Sequence, residues 1–426
     1  MGDLPTGTPL RIAILGGGIV GLSLAVALHM RGAPFTLYES AQRFSEIGAG
    51  IMMGQNALNV LRTLGLAEEY EQLARSSWRE GGETGVFFQF RFGDGRDDGE
   101  PVGQLKMPSG KMSTHRAELL ELLLRHVPPE RVRFQKQLVG YAQLPGEALQ
   151  LSFSDGTSQE CDVLLGADGI KSTVRRLMYA GKESRQEPRW SGSYAYRALV
   201  PTDKVLAAVG QTITSTPIMW LERGRHLVNY LVAGGKYLNV VAIKTDYTQG
   251  RYPKWENHEW VEHNVDEREL LSDFEGCGPQ VKKIIDLVER PSRWALFDLP
   301  DLPYFVQGNV ALIGDAAHAM MPHQGNGASQ GIEDAHVLAH LLSHPKVTPD
   351  TVSSALKAYE LVRKDRVQHI KELAYETGKL WELSTPVGDD VGMFAKAAGH
   401  NMDWVWGVDI DKQVQTAVSW FEMSLA

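Results

Sequence analysis

The chain has 426 residues, of which 43% are hydrophobic and 22% charged, with 43 Gly and 20 Pro. This composition is typical of a folded protein of two or three domains and excludes disordered and fibrous classes. A net charge of −9 argues against a nucleic-acid partner, and Cys161 and Cys277 lack metal-site or disulfide spacing, which indicates no metal and a reducing, cytoplasmic location.

The first predicted elements are a strand, a Gly-rich turn, a helix and a second strand. The strands are the apolar runs Leu10–Leu15 and Phe35–Tyr38, and the helix is Ile19–Met30. This order predicts a parallel, doubly wound α/β sheet. The apolar helix is far shorter than the ~20 residues that cross a bilayer, so no membrane span is expected.

The turn carries a dinucleotide-binding fingerprint. Gly16 allows the tight turn, Gly18 allows the backbone to approach a pyrophosphate, and Gly21 allows the helix to pack on the strand. Glu39, at the end of the second strand, is placed to accept hydrogen bonds from an adenosine ribose. The fingerprint alone does not separate FAD from a nicotinamide cofactor.

Later patterns predict a second, β-rich section followed by a return to α/β structure. Antiparallel strands are predicted at Ser193–Val200, His226–Val232 and Tyr237–Ile243, and helices at Ser329–His344 and Thr351–Lys379. We therefore expect a discontinuous cofactor domain from residues 1–78, 110–184 and 301–375, a substrate-binding sheet domain from 79–109 and 185–300, and a helical segment from 376–426.

Two further segments end an apolar strand on an acid beside glycine. They contain Asp168-Gly169 and Gly314-Asp315, and the second continues into a Pro- and Gly-rich loop from Pro322 to Ala328. With the fingerprint, they make the chain from Leu10 to about Leu380 resemble the FAD-dependent aromatic hydroxylases (group A flavoprotein monooxygenases), in their salicylate hydroxylase-like branch. The resemblance implies a glutathione-reductase or para-hydroxybenzoate-hydroxylase type of Rossmann-like fold.

The resemblance also implies roles for individual residues. Asp315 matches the acid that binds the ribityl chain, Asp168 lies in the segment near the pyrophosphate, and Arg116 and Arg43 match basic positions near the cofactor. The loop beside the isoalloxazine would contribute Pro322, Gly325, Asn326, Gly327 and Ala328. We interpret Gly48–Gly54, with Gly50, as a loop and helix start near the flavin. A helix salt bridge for Arg116 and a surface ion pair for Arg43 are the structural alternatives.

FAD is expected to be held non-covalently, with NADH or NADPH binding only transiently as the reductant. Dioxygen reacts poorly with closed-shell aromatics, whereas reduced flavin can form an electrophilic C4a-hydroperoxide that attacks a phenolate. The protein would have to exclude water. We expect a monomer or homodimer that takes a small aromatic substrate, dioxygen and NAD(P)H.

Two residues of the β-rich section are candidate catalytic groups. Arg197 and Tyr230 resemble an Arg and a Tyr of related phenol hydroxylases, and we predict that both bind one oxygen of the substrate. The alternative is a buried pair that stabilises the sheet. We interpret His318 and His323 as loop-packing residues, with a general base as the alternative.

The expected reaction is decarboxylative hydroxylation of salicylate to catechol. The alternative is a phenol hydroxylase of secondary metabolism acting on a larger polyketide-type phenol, with ring dearomatisation as one outcome. A nicotinamide-dependent dehydrogenase would leave the Asp315 segment unexplained, and a non-catalytic binding protein would not hold a reducible flavin.

Overall fold

The computed structural model describes residues 10–44, 50–76, 85–109, 113–181, 186–257, 259–388 and 390–426. The strands are β1 (Ile12–Leu15), β2 (Phe35–Tyr38), β3 (Gly50–Met52), β4 (Val86–Phe92), β5 (Pro101–Lys106), β6 (Ser113–His115), β7 (Val132–Arg133), β8 (Leu138–Gln143), β9 (Leu149–Phe153), β10 (Ser158–Cys161), β11 (Val163–Gly166), β12 (Arg189–Pro201), β13 (Ile218–Glu222), β14 (Arg225–Val232), β15 (Tyr237–Thr245), β16 (Val261–Glu262), β17 (Ser292–Asp298), β18 (Val306–Gln307) and β19 (Val310–Leu312).

The helices are α1 (Ile19–Met30), α2 (Gln55–Thr63), α3 (Ala67–Ser76), α4 (Arg116–Arg125), α5 (Thr173–Met178), α6 (Thr202–Ser215), α7 (Glu267–Asp273), α8 (Pro279–Ile285), α9 (Asp315–His318), α10 (Gly327–Leu342), α11 (Val352–Trp381), α12 (Val391–His400), α13 (Asp403–Trp406) and α14 (Ile410–Met423). Within the described residues, no helix is both long and apolar enough to cross a membrane.

A six-stranded sheet forms the first layer, in the order β18-β19-β11-β1-β2-β7. Its strands run parallel except for the β18–β19 pair, and every side chain of β1 is buried, as expected for a strand covered on both faces. Because β1, β11 and β19 are parallel neighbours, their carboxyl ends meet at one edge. Gly16, Asp168 and Asp315 follow these ends, so the three predicted segments converge there.

An eight-stranded sheet forms the second layer, in the order β16-β17-β12-β15-β14-β13-β4-β5. The predicted antiparallel strands are β12, β14 and β15. The sheet also contains β4, from an earlier part of the chain, which runs parallel to β13. Side chains alternate between the two faces of β12. Tyr196 packs with α6 to α8 on one face, whereas Ala195 and Arg197 face a cavity on the other.

Smaller elements connect the layers. The predicted loop at Gly48–Gly54 is partly a strand, because Gly50 pairs with His115 and Met52 with Ser113; Gly48 lies outside the described residues. The strands β8, β9 and β10 form an antiparallel sheet. The ring centroid of Phe153, in β9, lies 4.9 Å from that of Tyr38, in β2. The domain boundaries given above stay a prediction.

The two long predicted helices correspond to α10 and α11, and the predicted helical tail to α12, α13 and α14. Helix α11 extends two residues beyond the predicted end at Lys379 and stops at Trp381. The turn after it reaches the eight-stranded sheet, where the carbonyl of Glu382 accepts a hydrogen bond from the amide of Gly224 at 2.9 Å.

Candidate functional site

A cavity of about 390 Å³, here called the main cavity, lies between the converging strand ends and the eight-stranded sheet. It brings together most of the residues predicted from the sequence. Those lining it are Gly18, Gly50, Arg116, Arg197, Tyr230, Asp315, Pro322, Gly325, Asn326, Gly327 and Ala328. Those outside its lining are Gly16, Gly21, Glu39, Arg43 and Asp168.

The three fingerprint glycines meet different surroundings. Gly16 has a φ of +100°, and a Cβ placed on Gly21 would lie 1.9 Å from the carbonyl oxygen of Gly16. These two glycines therefore permit the turn and the close packing of α1. A Cβ on Gly18 would have no described protein atom within 4 Å, and Gly18 lines the main cavity at the start of α1. Gly18 thus leaves room for a ligand beside a helix N-terminus.

The carboxylate of Glu39 stabilises the fingerprint turn by accepting hydrogen bonds from main-chain amides. It accepts hydrogen bonds from the amides of Gly17 at 2.7 Å and Ala41 at 2.8 Å. A carboxylate has about four acceptor positions, so Glu39 keeps capacity for a ligand hydroxyl. Arg43 is exposed to solvent.

The carboxylate of Asp168 caps the N-terminus of α5. Its carboxylate accepts hydrogen bonds from the hydroxyl of Ser172 at 2.5 Å and from the amides of Thr173 at 2.7 Å and Val174 at 3.1 Å. The neighbouring Gly169 lines the main cavity instead. The sequence pattern located the segment correctly at the strand edge but did not reveal that its acid is engaged by α5.

A buried ionic network supports the Asp315 loop from behind. Asp334 accepts hydrogen bonds from the amide of Gly314 at 3.0 Å and from Arg363 Nε at 2.7 Å, and it contacts His318 Nε2 at 2.6 Å. His318 is fully buried in this network and does not line the main cavity. Its position favours the packing interpretation over the general base.

The loop after Asp315 offers polar groups that the described protein does not use. Asn326 is 1% exposed, and neither its Oδ1 nor its Nδ2 has a hydrogen-bond partner among the described residues. Burying such groups costs about 1–3 kcal/mol each unless a ligand or water pairs with them. Asn326 also immediately precedes α10, whose positive end points at the cavity. Together with the space at Gly18, these groups fit a bound flavin dinucleotide.

The opposite wall of the main cavity is a mostly apolar sheet face. Its apolar residues include Met219, Val228, Val241, Ile243 and Leu296. Arg197 and Tyr230 are polar groups on this wall, and burial raises the pKa of Tyr230 to about 12 despite the opposing effect of Arg197. Tyr230 therefore keeps its proton at neutral pH and can donate a hydrogen bond. A Cβ on Gly50 would lie 2.6 Å from the Tyr230 ring, so this glycine lets β3 approach Tyr230.

The structure adds a pair that the sequence reasoning did not assemble. His226 lines the main cavity, and its Nδ1 lies 3.1 Å from Oε1 of the fully buried Glu382. The same carboxylate accepts hydrogen bonds from Thr245 Oγ1 at 2.9 Å and from the Tyr247 hydroxyl at 2.5 Å. Because a carboxylate only accepts hydrogen bonds, this contact selects the tautomer with the proton on Nδ1, in which Nε2 is an acceptor.

His323, on the cofactor loop, completes the polar part of the main cavity. Its ring centre lies 5.3 Å from that of His226. Burial, and then the neighbouring His226, lower the pKa of His323 well below 6.5, so its ring is neutral at physiological pH. His323 therefore presents an uncharged imidazole beside His226, between the loop and the sheet.

Comparisons with known proteins agree with this arrangement. The family model described as FAD binding domain matches residues 10–201 and 302–374. A salicylate hydroxylase of Pseudomonas putida is 37% identical, covering 98% of this chain and 96% of the relative. A 6-methylsalicylate 1-monooxygenase of Aspergillus terreus is 36% identical, covering 97% of this chain and 92% of the relative.

A solved structure of a salicylate hydroxylase substrate complex superposes with a TM-score of 0.86 at 33% identity, covering 96% of this chain and 98% of that chain. The fold, the fingerprint glycines and the relatives agree on FAD as the cofactor and NAD(P)H as the reductant. The chain belongs to the family of FAD-dependent aromatic monooxygenases that includes the salicylate hydroxylases.

Proposed function

We propose that this enzyme hydroxylates salicylate at the carbon that carries the carboxylate and releases carbon dioxide and catechol. One molecule each of salicylate, NAD(P)H and dioxygen, with two protons, would give catechol, carbon dioxide, NAD(P)⁺ and water. The similarity to a salicylate hydroxylase over nearly the whole chain supports this substrate. We further propose that it acts in the cytoplasm, in keeping with its two free cysteines, and that it is a monomer or homodimer.

The observation that carries the proposal is the chemistry of the sheet wall. Arg197 on β12 and the β14 residues His226 and Tyr230 face one mostly apolar cavity. An aromatic ring packs favourably on such a wall, and a guanidinium binds a carboxylate or phenolate through charge-assisted hydrogen bonds. Tyr230 would donate to the same substrate oxygen as Arg197.

Each polar group has a part in the reaction. Bound FAD supplies the reduction of dioxygen and the transfer of one oxygen atom. Nε2 of His226 accepts the phenol proton, and the resulting phenolate makes the ortho ring carbon, which carries the carboxylate, electron-rich. Glu382 holds His226 in the tautomer that can accept this proton. The apolar wall keeps water away from the reacting carbon.

A second candidate substrate is a substituted salicylate of secondary metabolism. The 6-methylsalicylate 1-monooxygenase of Aspergillus terreus supports it, because its similarity covers almost the same share of this chain. Both substrates carry the carboxylate and the neighbouring hydroxyl that the polar groups would bind. They differ in size beside the apolar wall.

A substrate panel tests the proposal. FAD-loaded protein is given NADH or NADPH with salicylate, 6-methylsalicylate, phenol or a two-ring phenol, and the nucleotide consumed is compared with the product formed. We expect salicylate or its methyl derivative to give one product per nucleotide, and phenol to give mainly hydrogen peroxide. Efficient hydroxylation of the two-ring phenol alone would overturn the proposal in favour of a larger phenolic substrate.

A further inference from the structure

A second cavity of about 380 Å³, here called the outer cavity, adjoins the main cavity. Arg197 and Trp294 line both cavities. These residues lie on the neighbouring strands β12 and β17, and the guanidinium carbon of Arg197 is 5.3 Å from the Trp294 ring centre. The Arg197–Trp294 pair therefore forms a partition between the two cavities.

A hydroxyl holds this partition in place. Ser292 Oγ accepts the indole N–H of Trp294 at 2.9 Å and donates to the main-chain oxygen of Arg197 at 3.4 Å. Both contacts lie on the outer side, because Ser292 lines the outer cavity and not the main one. The Trp294 ring is thus fixed at one edge, and its face is covered by a cation.

The outer cavity leads from solvent to this partition. Its rim consists of the exposed residues His263, Asn264, Glu289 and Arg290. Its floor contains Asn239, which is 2% exposed, beside the half-buried partition pair. A solute entering at the rim would therefore meet Arg197 before it reached the main cavity.

The inner end of the outer cavity carries hydrogen-bond donors that can bind an anion. Asn239 Oδ1 accepts the amide of Gly50 at 3.3 Å, whereas its buried Nδ2 has no partner among the described residues. A buried amide donor that lines the same cavity as a guanidinium favours a carboxylate oxygen as its partner. At the rim, Glu289 pairs with Lys204 at 3.1 Å, and the exposed Arg290 adds a positive charge beside the opening.

The rim has a backbone conformation that costs energy to hold. Asn264 and Arg290 have φ values of 55° and 45°, in the left-handed region, and their turns are joined by a hydrogen bond from Val265 N to Pro291 O at 2.9 Å. Such conformations cost about 1–3 kcal/mol in residues other than glycine and cluster at functional sites. The two turns together fix the shape of the opening.

We propose that the outer cavity is the access route for a single-ring aromatic carboxylate. The carboxylate binds first to Asn239 Nδ2 and to Arg197 from the rim side. The guanidinium of Arg197 then moves off the Trp294 face with the carboxylate still bound, and the aromatic ring passes into the main cavity without losing its cationic partner. This inference rests on the proposed function, since it requires an anionic aromatic substrate.

The test measures how fast salicylate reaches the flavin. Stopped-flow recording of the flavin absorbance or fluorescence change gives the association and dissociation rate constants of salicylate. In a His263→Trp variant, a larger side chain obstructs the rim, and we expect both rate constants to fall by about tenfold with the Kd unchanged. His263→Ala, which removes side-chain bulk at the same position, is the matched control and should not slow either step.

A charge-reversal variant tests whether the charge of Arg290 speeds the association of salicylate. Arg290→Glu should slow association about fivefold at low ionic strength, and the effect should fade in high salt. Lys357→Glu makes the same charge change at an exposed position on α11 and should leave association at the wild-type rate.

The outcomes separate the two proposals. Wild-type rate constants in both His263→Trp and Arg290→Glu, with salicylate still hydroxylated, would overturn the access route and leave the proposed function intact. A wild-type protein that neither binds nor hydroxylates salicylate would overturn both.

Discussion

Glu382 holds His226 from behind the sheet wall of the main cavity, with its Oε1 3.1 Å from the histidine Nδ1. The two residues are 156 positions apart in the chain, and the turn at the end of α11 brings them together. Since the carboxylate is fully buried and also accepts hydrogen bonds from Thr245 and Tyr247, its orientation is fixed. The contact gives His226 one tautomer and leaves Nε2 to the substrate.

Glu382→Gln removes this control over the tautomer. An amide can donate as well as accept, so the proton on His226 is no longer confined to Nδ1. We expect kcat/KM for salicylate to fall ~10–100-fold, with an altered pH profile, because Nε2 loses its fixed role as acceptor. Tyr247→Phe keeps the carboxylate and is the matched control, with a smaller loss. A kcat/KM within twofold of wild type in Glu382→Gln would contradict the assigned role.

Arg197→Gln tests the binding of the substrate anion. The variant loses a charge-assisted hydrogen bond worth about 1.5–3 kcal/mol, so KM for salicylate should rise ~10–100-fold. Phenol lacks the carboxylate. The phenol concentration that gives half-maximal NAD(P)H oxidation should therefore differ much less between the variant and wild type. Normal salicylate turnover in a folded Arg197→Gln protein would instead assign the residue to stabilisation of the sheet.

Two glycine variants separate cofactor binding from folding. Gly18→Ala adds a Cβ where the described protein leaves open space, so the apoprotein should keep its Tm while FAD binding weakens at least tenfold. Gly21→Ala puts a Cβ 1.9 Å from the Gly16 oxygen and should destabilise the apoprotein itself. FAD titration and thermal unfolding of the apoproteins distinguish the two. Equal FAD affinity in Gly18→Ala and wild type would place the dinucleotide elsewhere.

The buried histidine His336 predicts a loss of stability in acid. Burial, and then the neighbouring His340, lower the pKa of His336 to about 3, and neither ring nitrogen has a hydrogen-bond partner among the described residues. The unfolded chain therefore binds a proton below about pH 6.5 that the folded chain excludes, so stability falls as the pH drops. This one group contributes about 1.4 kcal/mol per pH unit between pH 6 and 4.

His336→Met should remove that contribution. Urea unfolding at pH 7, 6 and 5 should give a free energy that declines less steeply with acid than in wild type. The control is His29→Gln, at an exposed position near the end of α1. Parallel declines in His336→Met and wild type would contradict the assignment to this ring.

The sequence allowed the cofactor side of the site to be predicted, because its residues are adjacent in the chain. Gly16 to Gly21 form one turn, and Asp315 and the Pro322–Ala328 loop follow one strand, so local patterns locate them. Asp168 shows the limit of such patterns: the edge position was predictable, but its use as a cap for Thr173 and Val174 depends on the geometry of α5.

The sheet side could be predicted only in part. The resemblance to phenol hydroxylases pointed to Arg197 and Tyr230, and both line the main cavity, but it did not point to His226. The partner of His226 could not be found this way, because Glu382 lies just after the predicted end of a helix in a segment interpreted only as a tail. The outer cavity was equally inaccessible, since its walls come from three strands and two separate turns.

Mass spectrometry of the product formed from salicylate under isotopically labelled dioxygen tests the central claim most directly. FAD-loaded protein, NAD(P)H and unlabelled water complete the reaction. We predict catechol with one labelled oxygen atom, formed with one carbon dioxide per nucleotide oxidised. Catechol without label, or nucleotide oxidation that yields only hydrogen peroxide, would contradict salicylate as the substrate of this monooxygenase.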